Sequence, residues 1–167
     1  MTAMVIQEQQ PDPNISLTVS SLLREQYFGA GEGKKRWAKD PDLTLAIHFA
    51  RGKFPAIYTR TEKFPGGESL DDMTERVDTT IDNILLPYIS QEAEGDAPMT
   101  VAIVSHGLFI AELVARLMKR DGTYQDGTFN AQNLRGLKNT SWTKVQVTLK
   151  VRLPSSLHFY NDAQLLK

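Results

Sequence analysis

The sequence predicts an α/β fold, a sandwich in which a mainly parallel sheet is flanked by helices. First, Val101 to Val104 form an unbroken apolar run, which is typical of a strand buried on both faces of a parallel sheet. Second, apolar residues recur every three or four positions on both sides of this run, which predicts amphipathic helices. Third, the succession of strand, helix and strand favours a layered α/β architecture over a helical bundle or an all-β barrel. With 41% hydrophobic residues among 167, one core is expected, and therefore a single domain over residues 1–167.

Composition excludes several classes of function. The 19 lysines and arginines nearly balance the 20 aspartates and glutamates, so no overall field attracts nucleic acid or an anionic membrane. The absence of cysteine excludes disulfides and thiolate metal sites, and it favours a reducing compartment such as the cytoplasm. No apolar run is long enough for a signal-peptide core or a membrane span. The spacing of His48 and His158 to His106 matches no metal motif, so neither a metal nor another cofactor is predicted.

The first part of the chain predicts a mixture of short elements. Helical spacing from Met1 to Val5 stops near Pro11, which indicates the last turns of a helix. Alternating apolar and polar residues at positions 15–19 predict a short strand, and the glycines at positions 29–33 predict a loop. The irregular stretch 34–67 predicts a short helix and a surface excursion.

The central part predicts the main layers of the domain. Ser69 and Asp72 form a capping box at the start of an apolar periodicity, which predicts a helix from Ser69 to about Leu86. The elements expected after it are a buried strand at Val101–Ser105, a helix from Leu108 to about Arg120, and strands at Trp142–Val151 and Leu157–Tyr160.

His106 is the first candidate for chemistry. It follows the carboxyl end of the predicted buried strand, and Gly107 allows the backbone to turn into the next helix. The first amides of such a helix are where an α/β fold binds phosphate. The alternative interpretation is a histidine that merely closes the strand with a satisfied ring.

Glu25 is the second candidate, because it precedes the glycine-rich loop. A carboxyl group beside a phosphate, with a raised pKa, can protonate a leaving oxygen as a general acid. The alternative is a solvated surface glutamate. For Glu68 and Arg76, which lie before and within the helix that starts at Ser69, ordinary helix capping is the favoured interpretation.

Three motifs in this order resemble the histidine phosphatase superfamily, the phosphoglycerate-mutase-like proteins. They are the pattern Leu-x-Glu-x-x-x-Gly around Glu25, Gly67-Glu68-Ser69 ahead of a long helix, and Ser105-His106-Gly107 after an apolar run. The resemblance implies metal-free phosphoryl transfer through a phosphohistidine, with a small phosphomonoester or phosphate as the partner. It also implies that Glu25 is the proton donor, that His106 holds the phosphoryl group in the transition state, and that the amides of Gly107 and Leu108 assist.

The sequence departs from the family pattern at one place. Arg-His-Gly, whose histidine becomes phosphorylated in the family, has no counterpart here, and Thr2-Ala3 is similar to the end of the family's Arg-Ala-x-x-Thr-Ala segment. We therefore expect the C-terminal two-thirds of the family domain, lacking its first two strands, its nucleophile and two phosphate-binding arginines. Such a chain should be inactive alone, and its open strand edges should lead to homo-oligomers or strand exchange.

Other functions stay open at this point. A non-catalytic pseudoenzyme or interaction module would retain the same fold remnant. Basic residues at positions 34–36 could meet a second substrate phosphate, although a solvated turn is favoured. Nucleotide binding is disfavoured, because the glycines at positions 29–33 lack the strand-loop-helix context of a pyrophosphate cradle.

Overall fold

A computed structural model describes residues 2–93, 100–120 and 143–145. Within these ranges a small parallel sheet accompanies helices that carry most of the core. Short 3-10 turns at Ser21–Leu23 and Gly29–Gly31 and a π-helical turn at Ile81–Leu85 complete the order. The elements are α1 (Thr2–Glu8), β1 (Arg36–Trp37), α2 (Leu45–Ala50), β2 (Phe54–Pro55), α3 (Leu70–Thr80), α4 (Leu86–Ala93) and α5 (Gly107–Arg120).

Helices α3 and α5 pack side by side in the same direction. Thr74 donates to Glu112 and Arg116 donates to Asp78 across the pair, and Arg120 donates to Asp82 in the π-helical turn after α3; the partners in each of these three bonds are 38 residues apart. Both partners advance by four residues, about one helical turn, at each step, so the two helices run parallel. Between them lies the main apolar cluster of Met73, Val77, Ile81, Leu85, Phe109, Leu113 and Leu117.

The predicted capping box starts α3. The Ser69 hydroxyl accepts a hydrogen bond from the Asp72 amide at 3.0 Å, and the Asp72 carboxylate accepts one from the Ser69 amide at 2.9 Å. Two amides that the helix leaves without partners are thereby satisfied. The Lys63 ammonium pairs with the same carboxylate at 2.7 Å, and together these bonds hold the pKa of Asp72 below its usual range.

The helix that begins at Leu70 does not end near Leu86, as the sequence indicated, but continues to Ala93. Pro87 is compatible with this continuation because a π-helical turn precedes it. In that turn the Leu86 amide donates to the Ile81 carbonyl five residues back. Proline has no amide hydrogen, and its ring would crowd the carbonyl four residues earlier in a regular α-helix. A widened turn relieves this conflict.

An aromatic lobe forms around the predicted surface excursion. The predicted short helix there is α2. Strands β1 and β2, which pair in parallel with Arg36 opposite Phe54, were not predicted. Two residues per strand are too few for an alternating pattern to be recognised. The rings of Phe28, Phe49, Phe54 and Phe64 pack with centroids 5.4–6.2 Å apart.

Two predicted strands are wrong. Residues 15–19 and 101–105 belong to no strand, and Val19 and Val101 are 88% and 43% exposed. A strand needs a neighbouring backbone to satisfy its amides and carbonyls, and β1 and β2 are the only strands among the described residues. The strands predicted at 142–151 and 157–160 lie outside the described residues, except for positions 143–145, which are not in a strand.

The N-terminal helix and the glycine loop agree with the sequence interpretation. Helix α1 ends at Glu8, three residues before Pro11, and the glycine-rich stretch is a loop containing one 3-10 turn. Among the described helices, none has the length and apolar character needed to cross a bilayer.

Candidate functional site

The carboxylate of Glu25 lies against the amino end of α5. Its Oε2 accepts a hydrogen bond from the Leu108 amide at 3.2 Å and its Oε1 accepts one from the Phe109 amide at 3.3 Å. The first amides of a helix have no partner within the helix, and the helix dipole favours a negative charge beside them. Glu25 is half-buried rather than a solvated surface residue. Two motifs that are 80 residues apart in the sequence thus meet at one helix end.

Local structure brings Glu25 to this position. Ser20 caps the 3-10 turn at Ser21–Leu23 by accepting a hydrogen bond from the Leu22 amide at 3.2 Å. The Leu23 side chain packs against the main apolar cluster, and its carbonyl accepts a hydrogen bond from the Ser105 hydroxyl at 2.6 Å. The segment 22–25 is therefore fixed beside the segment that leads into α5.

His106 is exposed and immediately precedes α5. Its carbonyl accepts the first regular hydrogen bond of that helix, from the Ile110 amide at 2.9 Å. Gly107, the predicted turn residue, is the first residue of the helix itself. The predicted residues Glu25, His106, Gly107 and Leu108 are thus gathered around one helix start.

Arg76 and Glu68 form an ion pair close to this contact, in which Arg76 is buried and Glu68 is half-buried. Arg76 Nε donates to Glu68 Oε1 at 2.8 Å, and Arg76 Nη2 donates to Oε2 at 2.9 Å. Glu68 also accepts from the Arg24 guanidinium at 2.7 Å and the Tyr27 amide at 3.0 Å. Burial alone would raise the pKa of Glu68, but these bonds and the two positive charges lower it below its ordinary value.

The sequence interpretation of Glu68 and Arg76 as ordinary capping missed this ion pair. A feature of the sequence indicates it in retrospect, because Arg76 shares the buried face of α3 with Met73, Val77 and Thr80. A charged side chain on an apolar helix face requires a partner.

The glycines of two motifs allow their loops to touch. The Ala30 amide donates to the Pro65 carbonyl at 2.9 Å, and the Glu68 amide donates to the Tyr27 carbonyl at 2.7 Å. Gly29 has a φ of +52°, and a Cβ placed on it would lie 2.4 Å from the Pro65 oxygen. Only glycine fits such a position, because it combines a left-handed backbone with close backbone contact. Gly29, the glycine that ends the Glu25 motif, therefore allows the backbone of the Gly-Glu-Ser loop to pack directly against it.

The basic segment after the glycine loop contacts aromatic rings. The Arg36 guanidinium lies 4.7 Å from the Phe28 centroid and 4.9 Å from the Phe64 centroid. The ammonium groups of Lys35 and Lys53 lie 5.8 Å and 5.5 Å from the Trp37 ring. Cation–π contacts of this kind account for these residues as packing.

His48 is a structural residue of the aromatic lobe. Its ring is almost fully buried, and Nε2 accepts a hydrogen bond from the Asp40 amide at 3.1 Å. The ring proton must then reside on Nδ1, which lies 2.9 Å from the Thr44 carbonyl and donates to it. Among the residues that the structure describes, no three histidine, aspartate or glutamate side chains are grouped to hold a metal. His158 lies outside those residues.

A family comparison confirms the resemblance that these motifs indicated. The model described as the histidine phosphatase superfamily (branch 1) matches residues 1–152. The chain therefore belongs to the histidine phosphatase superfamily, whose members are phosphoryl-transfer domains acting on phosphorylated substrates. No curated protein and no solved structure matches the chain at a significant level.

Proposed function

We propose that residues 1–167 form one domain of the phosphoryl-transfer type that acts on a small phosphomonoester. In this domain the chain supplies the general acid and the groups that bind the phosphoryl anion. In this proposal Glu25 donates the proton, His106 contacts the transferring phosphoryl group, and the amides of Gly107 and Leu108 assist. One observation carries the proposal: the Glu25 carboxylate lies on the first amides of α5, directly after His106.

The chemistry follows from what each group offers. In the superfamily mechanism a histidine attacks phosphorus, the bond to the ester oxygen breaks, and the departing alkoxide takes a proton. Glu25, when protonated, supplies that proton. The protonated carboxyl group carries no negative charge, so the helix dipole no longer holds it against the α5 amides, and these amides become free to bind the phosphoryl group. His106 and the freed amides then stabilise the charge spread over the phosphoryl oxygens. Whether water or a second substrate accepts the phosphoryl group decides between phosphatase and mutase activity.

We further propose that these 167 residues do not turn over phosphomonoesters by themselves. The sequence contains no Arg-His-Gly, and its histidines are His48, His106 and His158. His48 is committed to the aromatic lobe by two hydrogen bonds. Loss of a covalent nucleophile typically lowers the rate on the order of a millionfold.

Binding of inorganic phosphate, followed by amide chemical shifts, tests the site. Phosphate should shift the resonances of His106, Gly107 and Leu108, and the Glu25→Gln variant should bind it more tightly, because a competing negative charge is removed from the helix end. A Glu62→Gln variant is the control, since this carboxylate lies in another loop, where it accepts a hydrogen bond from the Thr59 hydroxyl. A response confined to the basic segment 34–37, or equal affinities for wild type and Glu25→Gln, would overturn the assignment.

A chromogenic phosphomonoester tests the expected inactivity. Wild type and His106→Ala should be equally inactive, at the level of the uncatalysed reaction. Turnover by the wild type that disappears in His106→Ala would contradict the proposal and identify His106 as the phosphate acceptor.

A second candidate is an interaction module without catalysis, with self-association or strand exchange through unpaired segments. The observation that favours it is the exposure of Ile15, Leu17, Val19 and Val101 on segments without a paired neighbour among the described residues. Light scattering over a range of protein concentrations tests this candidate. Association should make the apparent molecular mass rise with concentration, whereas a constant monomer mass would contradict it. A reducing compartment such as the cytoplasm fits the cysteine-free composition in either case.

A further inference from the structure

We propose that Arg76 is a positioning residue that determines where the Glu25 carboxylate meets α5. This inference rests on the proposed function, in which Glu25 is the proton donor. Arg76 does not touch the carboxylate of Glu25 in the described structure. It acts on the two structures that bring that carboxylate and the α5 amides together.

The first of these structures is the backbone that carries Glu25. Arg76 Nη1 donates to the carbonyls of Leu22 at 2.7 Å and Arg24 at 3.0 Å, and Nη2 donates to the carbonyl of Glu25 at 3.4 Å. With the two bonds to Glu68, all five N–H donors of the guanidinium have an acceptor. A planar guanidinium with all donors engaged fixes the carbonyls in one arrangement.

The second structure is the first turn of α5. The Arg76 guanidinium lies 5.2 Å from the centroid of the Phe109 ring, which is fully buried in the α3–α5 core. The amide of the same Phe109 donates to Glu25. The Arg76 side chain therefore contacts both Glu25, whose carboxylate accepts the hydrogen bond, and Phe109, whose amide donates it.

The partner of Arg76 is also important for the chemistry. An arginine paired directly with a carboxylate favours its ionised form, which would oppose proton donation. Arg76 instead pairs its charge with Glu68, whose side chain is 14% exposed, and contacts Glu25 only through the main chain. Arg76 thus orders the Glu25 backbone without a salt bridge to the Glu25 carboxylate.

The test uses amide hydrogen exchange and amide proton shifts of the full chain at constant neutral pH. Leu108 and Phe109 report the contact with Glu25, while Ile110, whose amide donates to the His106 carbonyl, reports the stability of α5 itself. Arg76→Lys keeps the charge but offers three donors in place of five. Arg116→Lys is the matched control, because Arg116 bonds Asp78 on the same helix pair, far along α5 from Glu25.

In Arg76→Lys, exchange at Leu108 and Phe109 should accelerate relative to Ile110 by about tenfold, the effect of losing one hydrogen bond of ordinary net strength. Their amide proton shifts should move toward those of Glu25→Gln. Arg116→Lys should accelerate the three amides equally or not at all. If Arg76→Lys does not fold, Glu68→Gln replaces it, because this variant removes the ionic partner of Arg76 and should produce the same selective change in smaller amount.

An unchanged ratio of exchange rates in the folded variant would overturn the role of Arg76. The proposed function fails differently: in that case Glu25→Gln in the wild-type background would leave the Leu108 and Phe109 shifts and exchange rates unaltered. The two failures are therefore distinguishable from one set of spectra.

Discussion

The α3–α5 helix pair and the two extended apolar segments, 15–19 and 101–105, differ in what they need from the rest of the chain. Each helix satisfies its backbone internally except at its ends, and it needs a partner for its apolar face, which the other helix supplies along with the side-chain bonds beside the core. An extended segment cannot satisfy its own backbone. Neither segment has a paired strand among the described residues, and their apolar side chains are exposed or half-buried there.

This difference shows why similar apolar content leads to different outcomes. Residues 101–104 are as apolar as any turn of α5, and Ile103 does pack against the main cluster. Burial of a strand depends on neighbours that are distant in sequence, whereas a helix face is defined by residues three and four positions away. Mutations in the two regions should therefore have unequal effects on stability.

The largest effect is expected in the helix pair. Phe109→Ala should lower the free energy of unfolding by about 3–5 kcal/mol, because the ring is fully buried against α3. Val101→Ala, in the extended segment, should cost much less, since that side chain is 43% exposed. Urea denaturation of both variants measures the comparison. Equal losses would mean that the extended segment is buried in solution by something outside the described contacts.

A backbone substitution should have the next largest effect. Gly29→Ala should destabilise by roughly 2 kcal/mol or more, because a left-handed backbone costs about 1–2 kcal/mol in alanine and the Cβ would collide with the Gly66–Gly67 backbone. Gly33→Ala is the control, since its φ is +64° and nothing lies within 4 Å of its added Cβ. Thermal unfolding should show Gly33→Ala as the milder variant. The reverse order would exclude close contact between the two motif loops.

Acidification should weaken the Glu68–Arg76 connection between the helix pair and the segment 22–25. The folded pKa of Glu68 is depressed below its ordinary value of 4.5, so its contribution to stability is present above that pH and is lost as the pH falls through the folded pKa. Glu68→Gln should therefore lose less stability than wild type below about pH 4.5. Above roughly pH 6 the difference between the two proteins should not depend on pH. Denaturant midpoints measured from neutral to acid pH provide the comparison.

The ion pairs at the edge of the helix pair should matter least. Asp82, whose side chain is 52% exposed, bonds Arg120, which lowers the pKa of Asp82 below its usual range. Exposed pairs contribute about 0.2–1 kcal/mol, so Asp82→Asn should cost no more than that, and the cost should shrink in high salt. Chemical denaturation at low and high salt checks this. A larger loss of stability that does not depend on salt would indicate that the pair fixes the relative orientation of the helices.

The sequence correctly predicted the elements that depend on residues close together in the chain. Predictions that depended on contacts between distant residues were wrong or were not made. The capping box at Ser69, the helix ending at Arg120 and the glycine loop all depend on residues within a few positions of one another. The resemblance implied only that Glu25 and His106 act on the same phosphoryl group, whereas the contact of the Glu25 carboxylate with the Leu108 and Phe109 amides became visible in the structure. The strands at 15–19 and 101–105 were wrong because their pairing depends on partners that local patterns do not specify.

The connection made by Arg76 shows the same limit at the candidate site. Apart from the Glu68 carboxylate, its acceptors are three backbone carbonyls 51 to 54 positions earlier in the chain. Every residue has a backbone carbonyl, so the residue types in the sequence do not indicate which carbonyls these are. What the sequence could reveal was only that an arginine on the buried face of α3 needs partners. Which carbonyls would serve became visible only in the folded chain.

The π-helical turn at Ile81–Leu85 determines which face of α4 points toward the main apolar cluster. A hydrogen bond that spans five residues instead of four inserts one extra position, and removing that position would rotate α4 by about 100° relative to α3. Leu86 and Ile89, which pack against the main cluster, would then turn away from it. Single-residue deletions should therefore be tolerated less well here than at the exposed positions 11–14 after α1, since a loop absorbs a lost residue without changing the register of a buried face.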